Sequence, residues 1–219
     1  PSGRMSEICG ATPYTRTGSR AARSSGRTAL ALGVVAETLG RGVLAAWIDL
    51  ADAFDPPSAA EAILAHGGEE KDLDRLLWVR ARSEDEALRS CERLLKTEGF
   101  ELIILDVLLS GTLSQARIQD VTWLRLARLA SGTRTALLVL SSESVTGSRA
   151  AIVLEMKVQK AQFVGPPNLL EGIETRAILR RHRNRPAGQE ILLSIRSEAN
   201  ASQPIRKALP LTQSNSGED

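Results

Sequence analysis

Arg23-Ser24-Ser25-Gly26-Arg27-Thr28 runs directly into Ala29-Leu30-Ala31-Leu32-Gly33-Val34-Val35-Ala36. This join of a small-residue loop to an apolar helical pattern sets the expected architecture. The loop is close to the phosphate-binding pattern G-x-x-x-x-G-K-[ST], in which backbone N–H groups cradle phosphates, the lysine reaches the outer phosphates and the hydroxyl holds Mg²⁺. Gly26 and Thr28 fit the pattern, whereas Ala21 stands at the first glycine and Arg27 at the lysine. Ser24, Ser25, Gly26, Arg27 and Thr28 are thus candidate residues of a degenerate nucleotide site.

Outward from that loop the chain alternates helices with buried strands. Leu30, Val34, Val35 and Leu39 recur at helical spacing and Gly40 is the expected stop. Val43–Asp49 and Glu101–Asp106 are continuous apolar runs that end in a carboxylate, as strands buried on both faces do. Pro56-Pro57 breaks the chain, and Ser58 with Glu61 reads as a capping box that opens a helix to His66. Leu76–Arg80 is a strand, Ser83–Lys96 an amphipathic helix capped by Ser83 and Glu86, Ile118–Ser131 a helix and Thr135–Leu140 a strand. The βαβα order requires right-handed crossovers and predicts an α/β fold with a mostly parallel sheet.

Beyond Gly147 the pattern turns strand-like over Ala151–Val158, Glu174–Arg181 and Glu190–Ile195. The intervening Gly165-Pro166-Pro167-Asn168 and Arg185-Pro186-Ala187-Gly188 have turn chemistry, so this part is expected to be an antiparallel hairpin extension. Residues 1–20 read as a flexible N-terminal segment, apart from a strand end at Glu7-Ile8-Cys9-Gly10. Residues 21–196 form the expected core domain and 197–219 a mobile C-terminal tail.

Composition removes several classes of function. A net charge of +2 leaves any nucleic-acid surface to local clusters, and 3% aromatic content argues against a stacking platform for single strands. Cys9 and Cys91 lie far apart without metal-ligand spacing, and His66 and His182 are isolated, so no metal site is expected. No apolar run is long enough to cross a bilayer or to resemble a signal peptide, and the expected setting is the reducing cytoplasm.

Asp106, at the end of its apolar strand, is where a nucleotide-binding sheet places a Mg²⁺-holding carboxylate, or else a cap after a buried strand. Asp49, Asp52 and Asp55 form an acidic trio that reads first as capping or solvated groups. Arg176, Arg180, Arg181, Arg183 and Arg185, with His182, make the densest basic run. It suits contact with phosphates or an acidic protein face, or charges that keep an edge strand from aggregating. Trp123, Leu124, Leu126 and Leu129 sit at helical spacing and read as core, with an interface role for Trp123 as the alternative.

In order, these stretches resemble the RecA family. Ser24-Ser25-Gly26-Arg27-Thr28-Ala29-Leu30 is similar to its S-S-G-K-T-T-L loop, and Trp47–Pro56, W-I-D-L-A-D-A-F-D-P, to its F-I-D-A-E-H-A-L-D-P segment. Leu102–Asp106 is similar to its I-V-V-D strand and Gly172-Ile173-Glu174-Thr175-Arg176 to its G-S-E-T-R hairpin, so the resemblance covers residues 21–196. Within the family it is narrower toward ImuA, the RecA-like group of bacterial mutagenesis cassettes.

The resemblance implies a three-layer RecA-like core with altered machinery. The lysine is Arg27, and the water-activating glutamate falls at Ala51, with the shorter Asp52 beside it. The Asn-Gln pair that senses the γ-phosphate is Ser141-Ser142. The two DNA-binding loops shrink to Val107–Gln115 and Glu143–Ser148, and the filament-forming N-terminal helix and strand are not expected before residue 21. No catalytic residue and no required cofactor are implied, with residual ATP and Mg²⁺ binding left open. The implied role is accessory: SOS mutagenesis and translesion synthesis through contacts with RecA and an ImuB-type polymerase, at the Arg176–Arg185 hairpin and the tail after Ser197. Two other readings stand beside it: a slow or nucleotide-gated ATPase, and DNA binding through the arginine hairpin.

Overall fold

The computed structural model describes residues 3–10, 25–50, 52–107, 118–166 and 169–196. The elements in chain order are β1 (Met5–Gly10), α1 (Arg27–Gly40), β2 (Leu44–Asp49), α2 (Pro56–Ala65), a 3₁₀ turn (Glu70–Arg75), β3 (Leu76–Arg80) and α3 (Glu84–Lys96). They continue with β4 (Phe100–Asp106), α4 (Asp120–Ser131), β5 (Ala136–Ser141), β6 (Ile152–Val164), β7 (Leu169–His182) and β8 (Glu190–Arg196). One eight-stranded sheet holds them in the order β3-β2-β4-β5-β1-β6-β7-β8. The strands from β3 to β6 pair in parallel, and β7 and β8 extend the sheet antiparallel.

Strand alternation explains the three layers. In β4, Leu102 and Ile104 face α1 and α2, where they pack with Ala31, Val35, Leu39, Ala59, Ile63 and Trp47. Ile103 and Leu105 face the other way, against Ala87, Cys91 and Leu95 of α3 and Trp123 and Leu126 of α4. Both faces of the parallel strands are covered, which is why these strands read as unbroken apolar runs.

Three expectations change. The loop-like reading of the first twenty residues gives way over Met5–Gly10 to a central strand, between β5 and β6. Pro56-Pro57 opens α2 instead of ending the preceding segment: Asp55 is the N-cap, its carboxylate accepting the Ser58 N–H at 3.0 Å, with proline at the first helical positions. Proline suits that place because its missing N–H has no intrahelical partner there. The C-terminal strands are also longer than their periodic cores, with β6 and β7 paired from Ile152↔His182 to Val164↔Leu169. The tail 197–219 and most of the loop Val107–Gln115 lie outside the described residues.

Candidate functional site

The parallel strands end in a row at one edge of the sheet. Asp49 lies beside Arg80 and Asp106, Asp106 beside Leu140, and Cys9 beside Ser141. Strand ends of this kind face the ligand crevice of open α/β sheets. β1 ends here at Gly10, against the Arg27 side chain at the start of α1, and Ala21, at the first-glycine position of the pattern, lies outside the described residues. Gly10 and Gly26 are sixteen positions apart in the chain, whereas the pattern sets its two glycines five apart. Ser24 lies outside the described residues.

Arg27 does not point outward as a phosphate ligand. Its Nη1 donates to the carbonyls of Ser141 at 2.9 Å and Ser142 at 3.1 Å, at the exit of β5. The guanidinium lies over Gly10, where an added Cβ would stand 2.3 Å from Nη1. Burial lowers the Arg27 pKa, against the attraction of Cys9 and the buried Asp106 carboxylate. Asp106 therefore faces a fixed internal cation. Arg27 thus ties α1, through one guanidinium nitrogen, to two consecutive carbonyls.

The start of α1 is also covered. Gly26 has φ 78°, and a Cβ there would meet Ile195 Cδ1 at 2.5 Å and Ile173 Cδ1 at 3.2 Å. Thr175 Oγ1 donates to Ser25 O at 2.9 Å. The G-I-E-T-R stretch on β7 thus lies directly on the loop, and the Ser25 hydroxyl is buried without a partner. Thr28, the second helical residue, is half-buried.

The Glu7 carboxylate is the functional group that sequence reasoning missed. It is fully buried on β1 and accepts from Ser141 Oγ (2.9 Å), Ser144 Oγ (2.9 Å), Val145 N (2.7 Å) and Thr146 Oγ1 (2.6 Å). The segment after β5 is therefore held twice, by Arg27 through carbonyls and by Glu7 through hydroxyls and an amide. The available signal was a lone glutamate in a short apolar strand together with the hydroxyl cluster Ser141, Ser144 and Thr146.

The acidic trio is structural. Asp49 is buried and accepts from Ala53 N (3.0 Å), Phe54 N (2.9 Å) and Trp78 Nε1 (3.3 Å), fixing the turn after β2. Asp52, at φ 53°, pairs with Arg80 at 2.8 Å; that hydrogen bond lowers its pKa, and Arg80 in turn lies over the Trp78 ring. Asp55 caps α2. Ala51 is outside the described residues.

The arginine run divides in two. Arg176 pairs with Glu190 at 2.9 Å, and Arg180 grips Glu155 through two hydrogen bonds of 2.9 and 2.7 Å. Arg181, Arg183 and Arg185 are exposed and carry no ion pair among the described residues. They do not share an edge with the phosphate loop. His182 lies opposite Ile152, which stands beside Ser6 at the start of β1, so the β7–β8 turn is at the opposite edge of the sheet from Gly10. The edge-strand explanation fails as well, since β7 is internal and β8 is the edge.

Among the described residues, Arg27 and Gly26 are not presented to Mg²⁺-ATP as the phosphate-loop pattern would hold it. The cationic group at the lysine position is bonded to backbone carbonyls, and apolar side chains cover Gly26. Among those residues no helix is long and apolar enough to cross a membrane.

Comparison with known proteins agrees with the fold. Residues 1–155 match the model of the RecA N-terminal domain, so the likeness begins earlier than residue 21 and takes in β1. RecA of Leptospira biflexa is 35% identical over 106 residues, covering 48% of this chain and 23% of that protein. RecA of Roseiflexus sp. is 26% identical over 174 residues, covering 78% of this chain and 44% of that protein. The chain thus spans less than half the length of these curated relatives. The crystal structure of the RadB recombinase superposes with a TM-score of 0.63 at 20% identity, covering 87% of this chain and 86% of that one.

Proposed function

Taking as premise that the chain belongs to the RecA family, we propose that it is a RecA-like accessory protein that works through protein contacts and not through ATP turnover. The observation that carries this reading is the Arg27 guanidinium bonded to the Ser141 and Ser142 carbonyls over Gly10. The group that should meet phosphate is committed to holding the fold. By its resemblance to ImuA, the protein acts in DNA-damage-induced mutagenesis, assisting translesion synthesis beside RecA and an ImuB-type polymerase. The contact surface that the charge distribution favours is the β7–β8 turn with Arg181, Arg183 and Arg185, which carry no ion pair among the described residues.

Two measurements test this. Titration with labelled ATP and Mg²⁺ is expected to give no saturable micromolar binding; Mg²⁺-dependent binding that is lost in Arg27→Ala overturns the reading in favour of a nucleotide-gated protein. A pull-down from damaged cells is expected to recover RecA or the polymerase with the wild type, and neither with Arg181, Arg183 and Arg185 all changed to Glu.

The same exposed arginines favour one second reading, contact with DNA phosphates. Affinity for duplex DNA would then fall steeply with salt, and the slope would shrink as these arginines are removed. Absence of binding at low salt eliminates it.

A further inference from the structure

The outer edge of β8 is unpaired among the described residues, because β8 closes the sheet with β7 as its sole neighbour. Leu179 N–H donates to Gln189 O at 2.8 Å, and the β7–β8 ladder then runs without a shift to Gly172↔Arg196. Strict alternation turns the N–H and C=O groups of Ile191, Leu193 and Ile195 toward β7. It leaves those of Glu190, Leu192, Ser194 and Arg196 on the open edge. Natural edges are usually blunted by charge, proline or a bulge. Here the stretch from Ile191 to Ile195 contains none of these, and Ile191 and Leu192 are 46% and 47% exposed.

The strand is complementary to itself. Laid antiparallel on a second β8 with Leu193 on the two-fold axis, Glu190 stands opposite Arg196 at both ends, Ile191 opposite Ile195, and Leu192 opposite Ser194. This register places outward-facing residue against outward-facing residue, which backbone pairing requires, and it alone uses every residue of the strand. Shifted by one residue, alternation sets outward groups against inward ones; shifted by two, an end of each strand hangs unpaired. The opposite charges close both ends, as expected of an isologous interface.

The geometry points to a homodimer formed by antiparallel β8–β8 pairing, which joins two sheets into one. The partner is a second copy of this chain, recognised by backbone hydrogen bonds and by the Glu190–Arg196 pairs. Glu190 keeps its contact with Arg176 in the same subunit and offers its other oxygen to Arg196 of the second copy. The β7–β8 turns, with Arg181, Arg183 and Arg185, then lie on each subunit beside the joint, so the dimer presents two basic turns.

Light scattering coupled to gel filtration of the full chain, across the micromolar range, tests this. The expected mass is twice 23.6 kDa. Ser194→Pro removes an outward N–H and leaves the β7 ladder whole, so it is expected to give a folded monomer. Should that variant fail to fold, Arg196→Glu decides: it sets Glu against Glu and is expected to raise the dimer dissociation constant at least tenfold. Adding Glu190→Arg to Arg196→Glu restores the opposite pairs and the dimer. A monomeric wild type overturns the proposal, whether a foreign strand or residues 197–219 cover the edge instead. A dimer indifferent to Ser194→Pro, or an Arg196→Glu defect that Glu190→Arg does not repair, overturns it too.

Discussion

At the scale of single residues, the described side chains at the strand ends are tied to one another. Glu7 illustrates the energetics. A fully buried carboxylate is costly unless its oxygens are satisfied, and here three hydroxyls and an amide do so. Glu7→Gln keeps the shape but turns one acceptor into a donor. Its carbonyl can stay on the Val145 N–H, so the new NH2 meets the Ser144 and Thr146 hydroxyls, which must turn to accept, and all four partners lose a bond to a charged group. The expected loss is about 1–3 kcal/mol in denaturant unfolding, with faster amide exchange at Val145, and an unchanged stability counts against the clamp. Sequence reading passed over Glu7 because its partners are more than 130 positions away, and a short strand with Ser6 and Glu7 among its apolar residues shows no clean period. Gly26 and Thr28 were legible as motif residues. The direction taken by Arg27 was not, because it depends on how β5 and Gly10 come together.

Cys9 at those strand ends gives a pH dependence with a definite sign. Burial, with Glu7 and Glu155 nearby, raises its thiol from the usual 9.0 to about 12. The thiol is thus neutral in the folded chain over a range where the unfolded chain is already ionised. Its contribution to stability is complete below pH 9 and declines as pH rises from 9 toward 12. Cys91, on the buried face of α3, is raised by burial and so has the same sign. Urea unfolding between pH 8 and 11 is expected to show falling stability, with a shallower slope in Cys9→Ala; equal slopes count against the buried neutral thiol.

At the scale of elements, what the sequence disclosed and what it concealed follow from range. α3 was legible end to end because Ser83 caps it locally and its apolar stripe has a clear period. The strands β2, β4 and β5 were legible because burial on both faces leaves unbroken apolar runs. The start of α2 was misplaced by three residues, since Ser58 and Asp55 offer equivalent caps and only the structure shows Asp55 accepting the bond. The docking of β7 and β8 on α1 was invisible, because Ile173, Thr175 and Ile195 lie some 150 positions beyond Gly26.

That docking is open to test. Gly26→Ala meets two penalties at once: φ 78° is unfavourable for an L side chain, and Cβ would stand 2.5 Å from Ile195 Cδ1. The expected loss is about 1–3 kcal/mol, and Ile195→Val in the same chain recovers only the steric part. Full recovery by Ile195→Val shows that backbone strain contributes nothing.

At the scale of the whole molecule, the two ends of the sheet have parted company. One end carries the contacts between β1, α1, β5 and β7; the other presents Arg181, Arg183 and Arg185, which have no ion pair among the described residues. In a working phosphate-loop protein the first of these ends gains stability from its ligand, and linkage sets the amount. A ligand at one hundred times its dissociation constant adds about 2.7 kcal/mol, and a chain of this size shifts its melting midpoint by about 2–4 °C per kcal/mol. Millimolar Mg²⁺-ATP acting on a ten-micromolar site therefore raises the midpoint by roughly 5–10 °C. With Arg27 Nη1 on the Ser141 and Ser142 carbonyls and Glu7 holding the following segment, this end already has its ties among the described residues. A thermal melt is expected to move by less than about 1 °C on adding Mg²⁺-ATP. Arg27→Ala is expected to lower the midpoint with or without nucleotide, because it removes a structural tie and not a ligand contact. A shift of several degrees in the wild type, absent in Arg27→Ala, would instead make Arg27 a phosphate ligand and return the protein to the nucleotide-driven members of its family.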